Sequence, residues 1–311
     1  MSSGTTKTNI SGVHVAVERL YEVFGDFRPG SRIDYYPPHE IGAEVEHRLL
    51  TQPLRALSAQ DLGRYMQAVT LFGRPNCPWW PYYVPRILEL IANYEWPHPS
   101  GAHACLDILH GDYDWSGDGA ACPPLWRTGF SAVQVAAIDD FAAMFWKRLI
   151  TSPYHCITEP DHDVCDRFTG GAGIGILFDL FAGAGVPVAR LLDVFDETRS
   201  PLADVHVAAF VSYVLDEDHC VEDIAKFCRG YSWGSNVPAL HAWLMRPSLR
   251  RRLTTAFFRE DRARERKLLN RAETVLRLST SAHNQPPWLG SAAISRSFAK
   301  MSLVSIRSGS A

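Results

Sequence analysis

The sequence predicts an all-α fold, either an irregular helical bundle or a solenoid-like stack of helix pairs. Three observations predict it: apolar residues recur every three to four positions from residue 11 to about 279, the stripes break at Pro and Gly, and strand-like alternation is scarce. At 311 residues, 46% apolar and 21% charged, the chain can bury a substantial core without a disulfide or metal staple. A single helical domain is expected over 1–279, with a possible subdomain boundary near 150–170. The remainder, 280–311, mixes Ser, Gly and Pro without a period and is expected to be a flexible tail.

The elements follow in order. From Ser11, the residues Val13, Val17, Leu20, Tyr21 and Phe24 share one face of an amphipathic helix. A second helix begins near His39 and carries Ile41, Val45 and Leu49 along one side. Ser58 with Asp61 is an N-cap signal, Leu62, Tyr65, Met66 and Val69 make the stripe behind it, and Gly73 stops that helix. In the proline-crowded RPNCPWWPYYVP of residues 74–85, Pro85 stands where a first-turn proline would open the helix of Ile87, Leu88 and Ile91. A short helix at 101–110 precedes a loop over the Gly- and Asp-rich 111–124.

Ser131 and Gln134 form a capping-box pattern that heads the strongest helix, with Ile138, Phe141, Phe145 and Leu149 inward. After a loop come helices near 172–184, 187–196 and 201–215, with Pro187 and Pro201 in their first turns. Pro247 divides the helices near 236–245 and 247–258, and a charged helix runs from about 261 to 279.

The formal charge of −3 predicts no bulk attraction to nucleic acid or anionic lipid. MSSGTTKTN lacks a basic start with an apolar run behind it, so no secretory signal and a cytoplasmic location are expected. Seven cysteines without regular spacing read as reduced thiols, most of them small buried hydrophobes. GGAGIGILFDLFAGAGVPVA, residues 170–189, is long enough to be weighed as a membrane span, but Asp179 and five glycines argue for a buried helix ending before Pro187. No membrane partner is expected.

The densest cluster of metal-ligating types is YHCITEPDHDVC, residues 154–165. His162 and Cys165 have a spacing that lets both reach one ion, whereas His155 and Cys156 are adjacent and diverge. With a donor from His219 or Cys220 the set would describe a zinc site, and with three ligands and a water a metal-dependent hydrolase or metal-binding regulator. A polar loop with two incidental thiols accounts for the same residues, and no cofactor is the expectation.

GDYDWSGDGAACPP opens like a calcium loop at Asp112, Asp114, Ser116 and Asp118 but has Pro123 where a bidentate Glu should close the shell. GGAGIG misses the dinucleotide register, and no G-x-S-x-G or H-E-x-x-H is present, so the sequence leans away from an enzyme.

Between 246 and 277 lie eleven Arg or Lys against four acids. Arg250, Arg251 and Arg252 could meet phosphates or an acidic protein patch, though they read better as the solvated face of a helix whose Leu249, Leu253 and Phe257 point inward. Trp79, Trp80 and Tyr82 in WWPYY could anchor a partner or plug a helical layer.

QPLRALSAQDLGRYMQAV, YYVPRILELIA and AWLMRPSLRRRLTTAFF together resemble a group of uncharacterised bacterial proteins that share PLRxL[ST]xxDLxxY, PRxLEL and WLxRPxLxxRL segments. LFDLFAGAGVPVARLLDVFDETRSPLADVHVAAFV is similar to the group's pair of helices joined by a short turn. The resemblance spans most of residues 10–277 and implies a mainly helical bacterial protein with no named activity. Where members carry a Cys-x-x-Cys-like element ahead of PLR this chain reads YYPPHE, which weakens a metal role borrowed from them. Pro85, Arg86 and Glu89 read as a cap and an ion pair, since Arg86 and Glu89 are three apart on one helical face.

An abundant core, no assembled catalytic set and uneven charge point to a helical protein-protein interaction, scaffold or partner-neutralising protein with an unidentified protein partner. The metal reading and nucleic-acid binding through the Arg-rich C-terminal helices are its rivals.

Overall fold

The computed structural model describes residues 4–33, 41–71, 74–75, 80–97, 105, 127, 129–152, 173–215 and 237–283. Among them eleven α-helices form the fold: α1 (Gly4–Val23), α2 (Ala43–Thr51), α3 (Ala59–Val69), α4 (Trp80–Ala92), α5 (Ala132–Thr151), α6 (Ile174–Gly183), α7 (Val188–Glu197), α8 (Pro201–Val214), α9 (Val237–Leu244), α10 (Pro247–Arg259) and α11 (Ala263–His283). The extended pairing is a two-residue antiparallel ladder, Thr70–Leu71 against Arg74–Pro75. The all-α expectation holds.

The arrangement is organised around α5. Its Ser131 accepts a bond from Gln134 N–H while the Gln134 side chain returns the favour, the full capping box that the sequence announces. The same Gln134 amide donates to the carbonyl of Val23 at 3.1 Å, tying the start of α5 to the end of α1. The two helices run side by side over their length, and α4 leans on α1. The opposite flank of α5 meets α7 and α8, and α8 in turn packs against α6, α10 and α11.

Rings fill these seams. Phe145 and Trp146 of α5 meet Phe181 and Phe178 of α6, Trp146 also abuts Phe195 of α7, and Phe195 and Phe210 enclose Trp243 of α9. Each such ring stabilises the fold by roughly 1.5–3 kcal/mol through area removed from water. The buried apolar residues make one contiguous cluster from Val13 to Leu276, so α5 before residues 150–170 and α6 after them share a core.

Two helices end with the same pair of backbone bonds. At α6, Val186 N–H returns to Phe181 and Gly185 N–H to Ala182, with Gly185 at φ 79°. At α4, Glu95 returns to Leu90 and Tyr94 to Ile91, with Tyr94 at φ 61°. Tyrosine is a costly occupant of that left-handed position. The Arg148 guanidinium over its ring, 4.6 Å from the centroid, helps hold it there.

Some boundaries differ from expectation. α1 starts at Gly4, seven residues before Ser11, and α2 starts at Ala43. Pro85 does not open α4 but sits inside it, because the helix begins at Trp80. It forfeits one backbone bond, a loss offset by burial of ten of the thirteen residues of that helix. Pro187 is the residue before α7, whereas Pro201 is in the first turn of α8 behind a Ser200 cap. The helix at 101–110, except Cys105, the loop at 111–124 and most of the tail lie outside the described residues.

The apolar run at 170–189 contributes the ten-residue α6, capped at Gly173 and closed by the Gly185 turn. Among the described residues no helix is long and apolar enough to cross a membrane.

Candidate functional site

On α10 the three consecutive arginines point about 100° apart and meet three different surroundings. Arg252 faces inward and is 8% exposed. Its Nε donates to Asp204 Oδ1 at 2.6 Å, Nη2 to the Thr198 carbonyl at 2.7 Å, and Nη1 to the Phe195 carbonyl. Those carbonyls terminate α7 and Asp204 lies in the first turn of α8, so one guanidinium joins three helices with both helix ends favourably charged. Arg259 adds a second cation to Asp204 Oδ2. Burial draws the Arg252 guanidinium below its ordinary value, and the Asp204 carboxylate opposes that pull.

Arg252 is therefore not part of a partner-binding surface. The signal was present in the sequence: the three- and four-residue steps that place Leu249, Leu253 and Ala256 inward pass through position 252.

Arg250 and Arg251 do reach the surface. They border a cleft of about 640 Å³ at the elbow between α9 and α10, where Leu276 of α11 closes the far wall. Leu244 and Met245 supply its apolar side and Thr254 and Thr255 its hydroxyls. Arg246, also on the rim, pairs with Asp196 of α7, and Arg250 pairs with Glu273 of α11 at 3.2 Å. Arg251 has no ion-pair partner among the described residues. Beyond Thr255 on the same helix, Phe258 is 74% exposed. Spacing alone did not reveal Arg246, Thr254 and Thr255 as neighbours of the arginines, because an elbow and a third helix complete the cleft.

Among the aromatic residues, Trp80 is 8% exposed and stacks on Phe130 with centroids 5.8 Å apart, which takes it out of the partner-binding set. Tyr82 is half-buried and meets Tyr83 edge-on. Trp79 lies outside the described residues.

The polar residues of the PLR and PRILEL segments form an internal network. Arg86 and Tyr21 both donate to Glu89 Oε2 at 2.6 Å, and Arg55 stands 3.9 Å from Oε1 while stacking on the Tyr21 ring. Burial and the Glu89 acceptor push the Tyr21 hydroxyl well above the usual phenol range. These residues hold α1, the Leu54–Ala56 turn and α4 together.

A third carboxylate is placed differently. Asp179 on α6 is 6% exposed, and among the described residues its one side-chain hydrogen bond comes from Tyr213 of α8 at 2.7 Å and Oδ1 has no partner. Burial raises its pKa to about 7, against the lowering effect of Tyr213. Gly175, one turn earlier, makes room for the tyrosine, since a Cβ there would lie 2.1 Å from the ring. Desolvation explains the shift, and sequence reading could register the lone charge but not its surroundings.

A second groove of about 380 Å³ lies between Gln60, Arg64 and Gln67 of α3 and the Trp96-Pro97 segment. His155, Cys156, His162 and Cys165, the supporting pair His219 and Cys220, and the calcium-like loop lie outside the described residues. Among the described residues no group of three or more His, Cys, Asp or Glu side chains is placed to hold a metal ion. Comparison with protein-family models, curated proteins and solved structures finds no match to this chain.

Proposed function

We propose that this chain is a helical interaction protein, acting as a scaffold or by neutralising its partner, and that it captures another protein on the α9–α11 face. The observation that supports the reading is the Arg-rimmed cleft itself. It joins apolar surface at the α9–α10 elbow to Arg251, a cation with no partner among the described residues, and the exposed Phe258 stands two turns further along α10, outside the cleft. Arg together with an exposed aromatic ring on a rigid helix is the composition of a recognition surface.

Nucleic-acid binding is less well supported by this surface. Arg246, Arg250 and Arg251 ring one bounded cleft, whereas a phosphate backbone is followed by a continuous track of cations. A photo-crosslinking residue at Thr255, with an equivalent one at exposed His14 on α1 as control, tests the interaction in cells of the native host. A discrete protein adduct from position 255 and none from position 14 is expected. Equal adducts from both positions, or none from 255, overturn the reading.

A further inference from the structure

The charge along residues 246–277, whose basic residues apart from the buried Arg252 are exposed, is lopsided relative to the rest of the molecule. With eleven basic against four acidic residues between 246 and 277 and an overall charge of −3, the remaining chain carries about −10. A basic surface on an otherwise acidic protein selects among partners by repelling them everywhere else.

Within that surface the cleft narrows the choice further. Asp196 engages Arg246 through one terminal nitrogen, and Glu273 engages Arg250 through Nε. A guanidinium has five N–H donors, so each arginine is fixed in orientation and keeps donors to spare. Arg251 adds a cation with no partner among the described residues. Behind these donors Met245 and Pro247 present apolar surface, backed by the buried Leu244 and Leu276, which a purely ionic ligand would leave unused. The volume, about 640 Å³, accommodates side chains together with a short length of backbone.

We infer that the occupant of the cleft is an acidic segment of another protein whose carboxylates meet Arg246, Arg250 and Arg251 while an apolar side chain between them rests on Met245 and Pro247. This rests on the interaction reading above and names the chemistry of the partner. Bidentate guanidinium-carboxylate pairing supplies direction, and the apolar contact supplies most of the affinity. Phe258, further along the helix, extends the contact to a second apolar residue of the ligand.

The test is fluorescence anisotropy with the full chain and three labelled probes. These are a twelve-residue peptide alternating Glu with Leu and Phe, a peptide with Ser in place of Leu and Phe, and a single-stranded oligonucleotide of equal charge. The mixed peptide is expected to bind roughly fivefold or more tightly than the Glu/Ser peptide, and to weaken about tenfold between low and moderate salt. Arg251→Glu is expected to weaken it roughly tenfold or more, and Thr255→Trp, which fills the cleft, to do the same. Arg64→Glu on α3 changes net charge identically and should leave binding within about twofold.

Equal binding of the Glu/Ser peptide, tighter binding of the oligonucleotide, or equal loss in Arg64→Glu overturns the proposal. So does self-association that Arg251→Glu abolishes, since the occupant would then be a second copy. If position 255 crosslinks to a protein but the mixed peptide does not bind, the stated chemistry fails and the interaction reading survives. If both fail, both are wrong.

Discussion

In the N-terminal half, Glu89 on α4 receives Tyr21 and Arg86, with Arg55 nearby; in the C-terminal half, Asp204 on α8 receives Arg252 and Arg259. Both carboxylates gather helices that are remote in sequence. They differ in how much water remains: Glu89 is 18% exposed at its side chain and Arg86 16%, against 8% for Asp204 and 5% for Arg252. Water that reaches Glu89 can replace a lost partner, whereas little reaches the Arg252 side of Asp204, whose other oxygen is held by the exposed Arg259. The difference teaches that the same ion-pair chemistry tolerates damage in one half of the protein and not in the other.

Asp204→Ala is the sharpest way to break this comparison. It leaves the Arg252 guanidinium buried with two carbonyls and no counter-charge, and should lower stability by about 3–5 kcal/mol in urea denaturation. A loss no larger than that of a surface substitution would show that the C-terminal network is not tight.

Asp179 extends the comparison to a buried carboxylate with no cation beside it among the described residues. Its folded-state pKa of about 7 lies above the ordinary carboxyl value, so the native state holds a proton that the unfolded chain has released. This contribution to stability is complete below about pH 4 and lost as pH rises to about 7, above which it is flat. Asp179→Asn removes the titration and should be about 1–3 kcal/mol more stable than the natural chain at pH 8, with the gap narrowing through pH 5 and closing by about pH 4. Melting curves across this pH range decide the matter, and a gap independent of pH rejects it.

Glu89→Gln is the mildest of the three. The amide oxygen still accepts from Tyr21, Arg86 keeps its bond to the Leu57 carbonyl, and solvent covers the rest. A loss of about 1 kcal/mol is expected from chemical denaturation. A loss equal to that of Asp204→Ala would erase the contrast between the two halves.

Much of the fold was legible because helices declare themselves locally. The Ser131-Gln134 box, the Ser200-Pro201 start and the Gly185 stop each lie within a few residues of the boundary they set. The start of α1 was not legible, since TTKTN carries no apolar stripe, and neither was the run of α4 through Pro85, which depends on burial by other helices.

The candidate site divides in the same way. Arg250 and Arg251 stood out by composition, but what separates them from Arg252 is Asp204, 48 residues away from Arg252 in the chain. Asp179 likewise takes its character from Tyr213, 34 residues distant, and from the absence of water. Partners that meet only after folding leave no spacing to read. Periodicity would have sufficed for Arg252 had its charge not suggested the surface.

The direct measurement of the central claim is therefore a side-by-side urea denaturation of Arg251→Met and Arg252→Met, neighbours with identical chemistry and opposite surroundings. Arg252→Met should lose about 2–4 kcal/mol by leaving Asp204 Oδ1 and the Phe195 and Thr198 carbonyls without their buried donor, Arg259 still holding Oδ2, while Arg251→Met stays within about 0.5 kcal/mol of the natural chain. Equal losses, or a larger loss for Arg251→Met, would contradict the assignment of one arginine to the interior and the other to the surface.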